Sequence, residues 1–375
     1  MAQPGHLARL YRGKHARWAD RRRMVARMSN YPYPAPRYGE AKPGIIPLRP
    51  LTLGDIYGAF FGAVRHNPVA LIVWPLLIVF LATLLGSLLG LAFEGPFGHI
   101  FDPLFADPNA RVMLETFGLT AQSVSAMYGS LTGVGIALLF ASPLITAIVA
   151  VTISQATIGR KPKMAEVWSR ALPRFWPLIG WTFLAAGVVL IGSTIFALLI
   201  VLLWLALDTT MMTAGPAAAI GAVLTLLLSA AFTVAVIWLA VRLMFVEQAI
   251  VVERTGIRQS IGRGWALSRG MFWRLLGITI LTSLCAGFAG MVLAAPFTAF
   301  ASLQAITTTT APAGGVLTGS FIFSLIGSAL SYTLTLVFPG AVAALLYVDS
   351  RLRQEGNLAA TMATAAAQAP GDTNG

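Results

Sequence analysis

Two groups of side chains carry the chemistry available to this sequence. The first is a pair of tryptophan–arginine constellations: Trp168, Arg170, Arg174 and Trp176, then Arg263, Trp265, Arg269, Trp273 and Arg274. An indole has an apolar body and a polar N–H, and a guanidinium pairs with phosphate, so this mixture suits the headgroup layer of a bilayer. The second is Glu247 and Glu253, followed by Arg254. Two carboxylates there can hold a cation or a headgroup amine; the plainer alternative is a solvated helix end. Hydrolysis and group transfer find no counterpart. The histidines His6, His15, His66 and His99 are scattered, no zinc or carboxylate cluster is spaced for a metal, and no phosphate-binding loop is present. The sequence therefore predicts no catalytic residue, no metal, no cofactor and no enzyme.

The elements that position these groups follow from composition. Of 375 residues, 57% are hydrophobic and 11% charged, with mean hydropathy +0.77. Soluble domains carry about 25% charged residues. A disordered chain and an ordinary soluble enzyme are excluded, and the lone Cys285 excludes an internal disulfide framework. A helix needs about 20 apolar residues to cross ~30 Å of hydrocarbon. Six stretches qualify: 69–93, 129–153, 177–207, 217–246, 271–299 and 317–348. Arg242 and Arg274 fall at their edges, where each is expected to reach interfacial water. Continuous apolar runs such as Ile195–Leu205 do not alternate as strands of a barrel would. The expected fold is an all-α polytopic membrane protein with about six transmembrane helices.

Charge sets the expected orientation. With alternate loops assigned to opposite sides, 25 of the 26 lysines and arginines fall on one side and Arg111 alone on the other, beside Glu94, Asp102, Asp107, Glu115 and Asp208. Positive loops stay inside, so both termini are expected in the cytoplasm of a multi-pass cell-membrane protein. The formal charge of +12 is thus read as topology. Nucleic acid is an unfavoured partner, conceivable only for the N-terminal arm. Residues 1–50 read as a disordered basic and Pro-rich cytoplasmic tail, with Met24 and Met28 as further candidate starts; 51–355 as the six-span domain; 356–375 as a disordered tail. A short helix is expected around Asn109–Phe117, and turns at Asp208–Gly215 and Thr307–Gly315.

An internal repeat organises the chain. Trp168, Phe175, Trp176, Leu178 and Gly180 recur 97 residues later as Trp265, Phe272, Trp273, Leu275 and Gly277. A weaker first copy places Leu53, Ile56, Tyr57, Phe60, Phe61 and Val64 on one helical face, matched by Met164, Val167, Trp168, Ala171, Leu172 and Phe175, with the register open by one turn. Thr52 and Asp55 read as a capping box. Three units are expected, each an in-plane amphipathic helix followed by two spans. The pairs Gly86/Gly90, Gly129/Gly133 and Ala286/Gly290 have the spacing that lets helices approach closely, although 36 glycines also produce such pairs by chance. Pro143 and Pro339 are expected to kink or break their spans, either structurally or to open a cavity.

The segments Ile46–Ile56, Phe245–Glu247 with Arg263–Gly277, and Leu346–Gly356 resemble the multi-span membrane domain of glycerophosphoryl diester phosphodiesterases, over roughly residues 45–356. The resemblance implies a membrane domain without the catalytic barrel, because the barrel's His-Arg-Gly segment and Glu-Asn pair have no counterpart. The function classes that follow are a non-enzymatic protein organising lipids or protein partners at the cytoplasmic face, a transporter or lipid translocator, and an accessory domain for lipid-headgroup metabolism. The expected partners are membrane lipids with anionic headgroups, and a protein partner or a second copy of the chain.

Overall fold

The computed structural model describes residues 44–355 except 48, 107, 117–118, 208–214 and 308–318. The two terminal tails, the candidate starts Met24 and Met28, and nearly all of the two outer turns lie outside the described residues. Among the described residues every regular element is helical. Helix α1 is Leu53–His66; α2, Trp74–Ala106, follows a π-helical turn at Val69–Val73; α3 is Pro108–Thr116; α4 is Ala121–Ala156. Then come α5, Met164–Ala206; α6, Pro216–Leu243; α7, Ile257–Ser268; α8, Phe272–Thr307; and α9, Gly319–Gln354. A short turn, Val246–Gln248, and a π-helical Ala249–Glu253 extend α6. Among the described residues six segments are long and apolar enough to cross a membrane: Val69–Pro103, Ala121–Ala156, Met164–Ala206, Pro216–Glu253, Phe272–Leu303 and Gly319–Gln354. The protein is an all-α polytopic membrane protein.

The first unit starts where its capping box dictates. The Asp55 N–H donates to Thr52 Oγ1 at 3.2 Å and the Thr52 N–H to Asp55 Oδ2 at 3.0 Å. Helix α1 ends at Asn67, whose N–H closes on the Ala63 carbonyl at 2.9 Å. The Asn67 side chain then accepts from the Ala70 N–H and donates to the Pro162 carbonyl, 3.2 Å away, so one residue stops a helix, caps the next and ties the unit to its neighbour. The packed chain also begins earlier than residue 51. Ile46 and Leu51 are buried, and a Cβ on Gly44 would stand 2.5 Å from Gly159 N.

Burial confirms the repeat and fixes its register. Ile56, Val167 and Gly264 are buried, as are Phe60, Ala171 and Ser268, then Asn67, Leu178 and Leu275, then Ala70, Trp181 and Ile278. The three copies differ in one respect from three separate amphipathic helices. Helices α1 and α7 stand alone, but the second copy runs unbroken into its span as α5. At the position where the third copy has Gly270, at φ +77°, the second has Pro173. Proline is held near φ −65° and cannot adopt the left-handed turn that ends α7, so the helix continues. Each amphipathic stretch packs on the second span of the preceding unit. Phe60 lies 4.6 Å from the Phe338 ring on α9, Val167 and Ala171 share a buried cluster with Ile148 and Val151 of α4, and Trp265 meets Trp238 of α6 edge-on at 5.6 Å. Since α1 rests on α9, the three units close head to tail.

The span pairs pack unequally. On α2 and α4 the glycine pairs face each other: a Cβ on Gly86 would lie 2.6 Å from Val134 Cα, and one on Gly90 2.8 Å from Ser130 Cα. These glycines are an interface and not a by-product of composition. On α8, a Cβ on Gly290 would meet Ser331 Oγ of α9 at 2.8 Å, and Ala286 is fully buried. The most apolar windows of α5 and α6, by contrast, are only 6% buried within the protein, against 39% and 44% for those of the first two spans. Neither Pro143 nor Pro339 breaks its helix; α4 and α9 run through both.

Candidate functional site

Helices α5 and α6 flank a cavity of about 880 Å³ that is also lined by residues from α4, α7, α8 and α9. Its body is apolar, with Trp181, Val188, Phe232 and Leu239 among the lining, and Pro339 and Gly340 on the α9 side. Far along the chamber Phe196 and Phe232 stack at 4.6 Å. Polar groups gather at the other end, where Glu247, Gln248, Thr146, Thr279 and Thr282 reach the lining. Thr282 donates to the Ile278 carbonyl at 2.7 Å and shares a 3.0 Å hydrogen bond with the Tyr57 hydroxyl. The Glu247 carboxylate has the Thr146 hydroxyl as a hydrogen-bond partner. Gln248 is 2% exposed, and its buried Oε1 has no hydrogen-bond partner among the described residues. The backbone immediately after these two residues is the π-helical Ala249–Glu253, a winding that recurs at functional positions in helices.

At the Arg-rich end the structure ties the last span to the repeats through ion pairs. Arg263 forks onto Glu253 at 3.0–3.1 Å and also contacts Glu355. The Tyr347 hydroxyl donates to Glu253 Oε1 at 2.5 Å, and Arg351 pairs with Glu355 at 3.0 Å. The Glu253 hydrogen bond is the largest cause holding the Arg263 guanidinium above its ordinary value; burial works against it, and Glu355 adds to the rise. Burial alone would raise the Glu355 carboxyl, but its hydrogen bonds to Arg351 and Arg263 outweigh this and hold it below its usual range. A second knot centres on Asp349, whose side chain is fully buried. It pairs with Arg274, accepts from Arg353 at 3.0–3.1 Å, and accepts from the Leu51 N–H at 2.7 Å. Arg274 and Arg353 also donate to the Leu51 carbonyl. This anchors the segment leading into α1 against the end of α9.

The tryptophan–arginine residues separate into two roles. Trp176 and Trp273, equivalent across the repeat, are 74% and 80% exposed, and Arg269 is exposed as well. Trp273 and Arg274 border a shallow groove of about 370 Å³ with Leu51–Leu53. The others face the protein. Trp168 packs edge-on to Trp74, Trp265 to Trp238, Arg170 pairs with Glu166 at 2.7 Å, and Arg174 reaches the Arg254 carbonyl at 3.4 Å. Arg263 and Arg274 are the ion-pair hubs above.

Two edge expectations change. Arg242 is only half-exposed and turns inward: its guanidinium lies 5.4–5.7 Å from the Trp238, Trp265 and Phe272 rings, with Nε and Nη1 buried. Aromatic faces take the place of water on that side of the cation. Glu247 and Glu253 are not solvated helix ends, since one lines the cavity and the other is the acceptor of the Arg263 fork. The sequence reading missed Asp349, Gln248 and the cage around Arg242; their signal was polarity just inside apolar segments, which composition alone does not separate from an ordinary helix end. Among the described residues no three His, Cys, Asp or Glu side chains converge as a metal site.

Six spans, three amphipathic stretches packed head to tail and a chamber flanked by α5 and α6 define a polytopic membrane protein with a cavity. The chain belongs to the family described as a domain of unknown function (DUF7847), which matches residues 53–349. No curated protein and no solved structure matches it.

Proposed function

We propose that this is a non-enzymatic protein of the cell membrane, with both termini cytoplasmic, that organises anionic lipids at its cytoplasmic face. The observation that carries this reading is the repeated outward indole: Trp176 and Trp273 occupy equivalent positions and both stand open beside the Arg-rich end. Exposed Arg160, Lys161, Lys163, Arg254, Arg258 and Arg269 add to that end, and none of them has a carboxylate within ion-pair distance among the described residues, which leaves them to anionic headgroups. The resemblance to the phosphodiesterase membrane domain supports placing this activity alongside lipid-headgroup metabolism. The test is reconstitution of the full chain in nanodiscs of mixed phosphatidylglycerol and phosphatidylcholine, followed by mass spectrometry of the lipid retained on extraction. Enrichment of phosphatidylglycerol is expected; retention in the input ratio overturns the reading. The cavity favours a second reading, lipid translocation, which a fluorescent-lipid flip assay in proteoliposomes tests. No transfer above protein-free vesicles eliminates it.

A further inference from the structure

The cavity lies apart from the basic surface and asks for a different ligand. At the Arg-rich end, the carboxylates of Asp55, Glu166, Glu253, Asp349 and Glu355 each have an arginine within ion-pair distance. Glu247 has none among the described residues, and it faces the chamber. The next residue, Gln248, also lines the chamber, and its buried Oε1 has no hydrogen-bond partner among the described residues. A carboxylate and an amide oxygen accept hydrogen bonds, so the group that satisfies both must donate several, and a positive charge on it balances Glu247. Leaving a buried acceptor unpaired is costly, which makes this corner a site that rewards such a ligand.

The remaining walls describe the rest of the ligand. From Met244 back to Phe232 the α6 lining covers twelve helical steps, about 18 Å at ~1.5 Å per residue. One leaflet occupies about half of the ~30 Å hydrocarbon thickness. A molecule with its head at Glu247 therefore finds an apolar wall running the full depth of its own leaflet. The volume of about 880 Å³ falls in the range of specific ligand pockets, roughly 300–1,000 Å³. Because α5 and α6 bury so little of themselves in the protein, the chamber can fill sideways from the bilayer.

We propose that this cavity binds one membrane lipid bearing a primary ammonium headgroup, with the ammonium on Glu247 and Gln248 and an acyl chain between α5 and α6. A primary ammonium offers three N–H donors, whereas the quaternary ammonium of a choline lipid offers none.

The experiment uses the full chain in nanodiscs containing phosphatidylethanolamine, its mono-, di- and trimethylated forms, and phosphatidylglycerol, with the retained lipid counted per chain by mass spectrometry. Retention is expected to fall stepwise as N–H donors are replaced by methyl groups, by about tenfold or more across the series. Glu247→Gln and Gln248→Leu are expected to flatten the series. Ala235→Trp, at an exposed cavity-lining position on α6, is expected to lower retention of every member. A flat series in the unsubstituted protein overturns the proposal, and this arm needs no variant to fold. A graded series that persists in Glu247→Gln overturns the assignment to this carboxylate. The phosphatidylglycerol arm reports the surface reading separately, so either can fail without the other.

Discussion

Replacing Gly133 by alanine adds one carbon to α4, and the structure fixes where it goes. The new Cβ would stand 2.7 Å from Gly90 Cα and against the Gly86 carbonyl oxygen and the Gly90 nitrogen, all backbone atoms of α2. A carbon–carbon contact is comfortable at ~3.5–4.0 Å, so the helices must part by roughly 1 Å. No rotamer relieves this, because nothing on the far side is a side chain. Overpacking of this kind costs about 1–3 kcal/mol, against which alanine's better helix propensity returns about 0.5–1 kcal/mol. A net destabilisation of up to about 2.5 kcal/mol, centred near 1 kcal/mol, is expected. Gly135, two residues on, supplies the control: nothing lies within 4 Å of a Cβ there. Gly135→Ala is therefore expected to leave stability unchanged or raise it by about 0.5–1 kcal/mol. The assay is the unfolding midpoint of both variants in one detergent, compared with the unsubstituted chain. If Gly133→Ala proves no less stable than Gly135→Ala, then α2 and α4 are not held by backbone contact through these glycines.

Three further outcomes follow from the Arg-rich end. Asp349→Asn keeps the shape but leaves Arg274 and Arg353 without their buried counter-charge. It should cost up to about 3–5 kcal/mol, toward the lower figure because both arginines are partly exposed, read as a drop in thermal midpoint. Glu355 is held below its ordinary value of 4.5, so its ion pairs contribute fully above that pH and their contribution is lost as pH falls through the lower folded-state value. The stability difference between the unsubstituted chain and Glu355→Gln should accordingly shrink on acidification below about pH 4.5 and stay constant above it; a difference that grows on acidification contradicts the pairing. Trp176→Phe with Trp273→Phe should change stability by no more than about 0.5 kcal/mol each, because both rings are exposed, yet remove most of the fluorescence quenched by lipids brominated near the headgroup. Undiminished quenching would place other tryptophans at the interface.

The class of protein and its six spans were legible in the sequence because hydrophobic length is a local property, and a bilayer turns it directly into topology. The repeat was legible for a related reason: Trp168, Phe175 and Trp176 recur in register with Trp265, Phe272 and Trp273, and a helical face is set by spacing alone. What a residue does at a span edge was not. Arg242 and Arg274 look alike in sequence, but one lies among three aromatic rings and the other on Asp349. Glu247 and Glu253 are six positions apart, yet one faces a chamber and the other an arginine. Those outcomes depend on which helices converge. The close approach of α2 and α4 through glycine backbones, the cavity between α5 and α6, and the return of α9 onto α1 are decided by packing across the whole chain. The same local pattern therefore yields a tight interface in one unit and a cavity in the next.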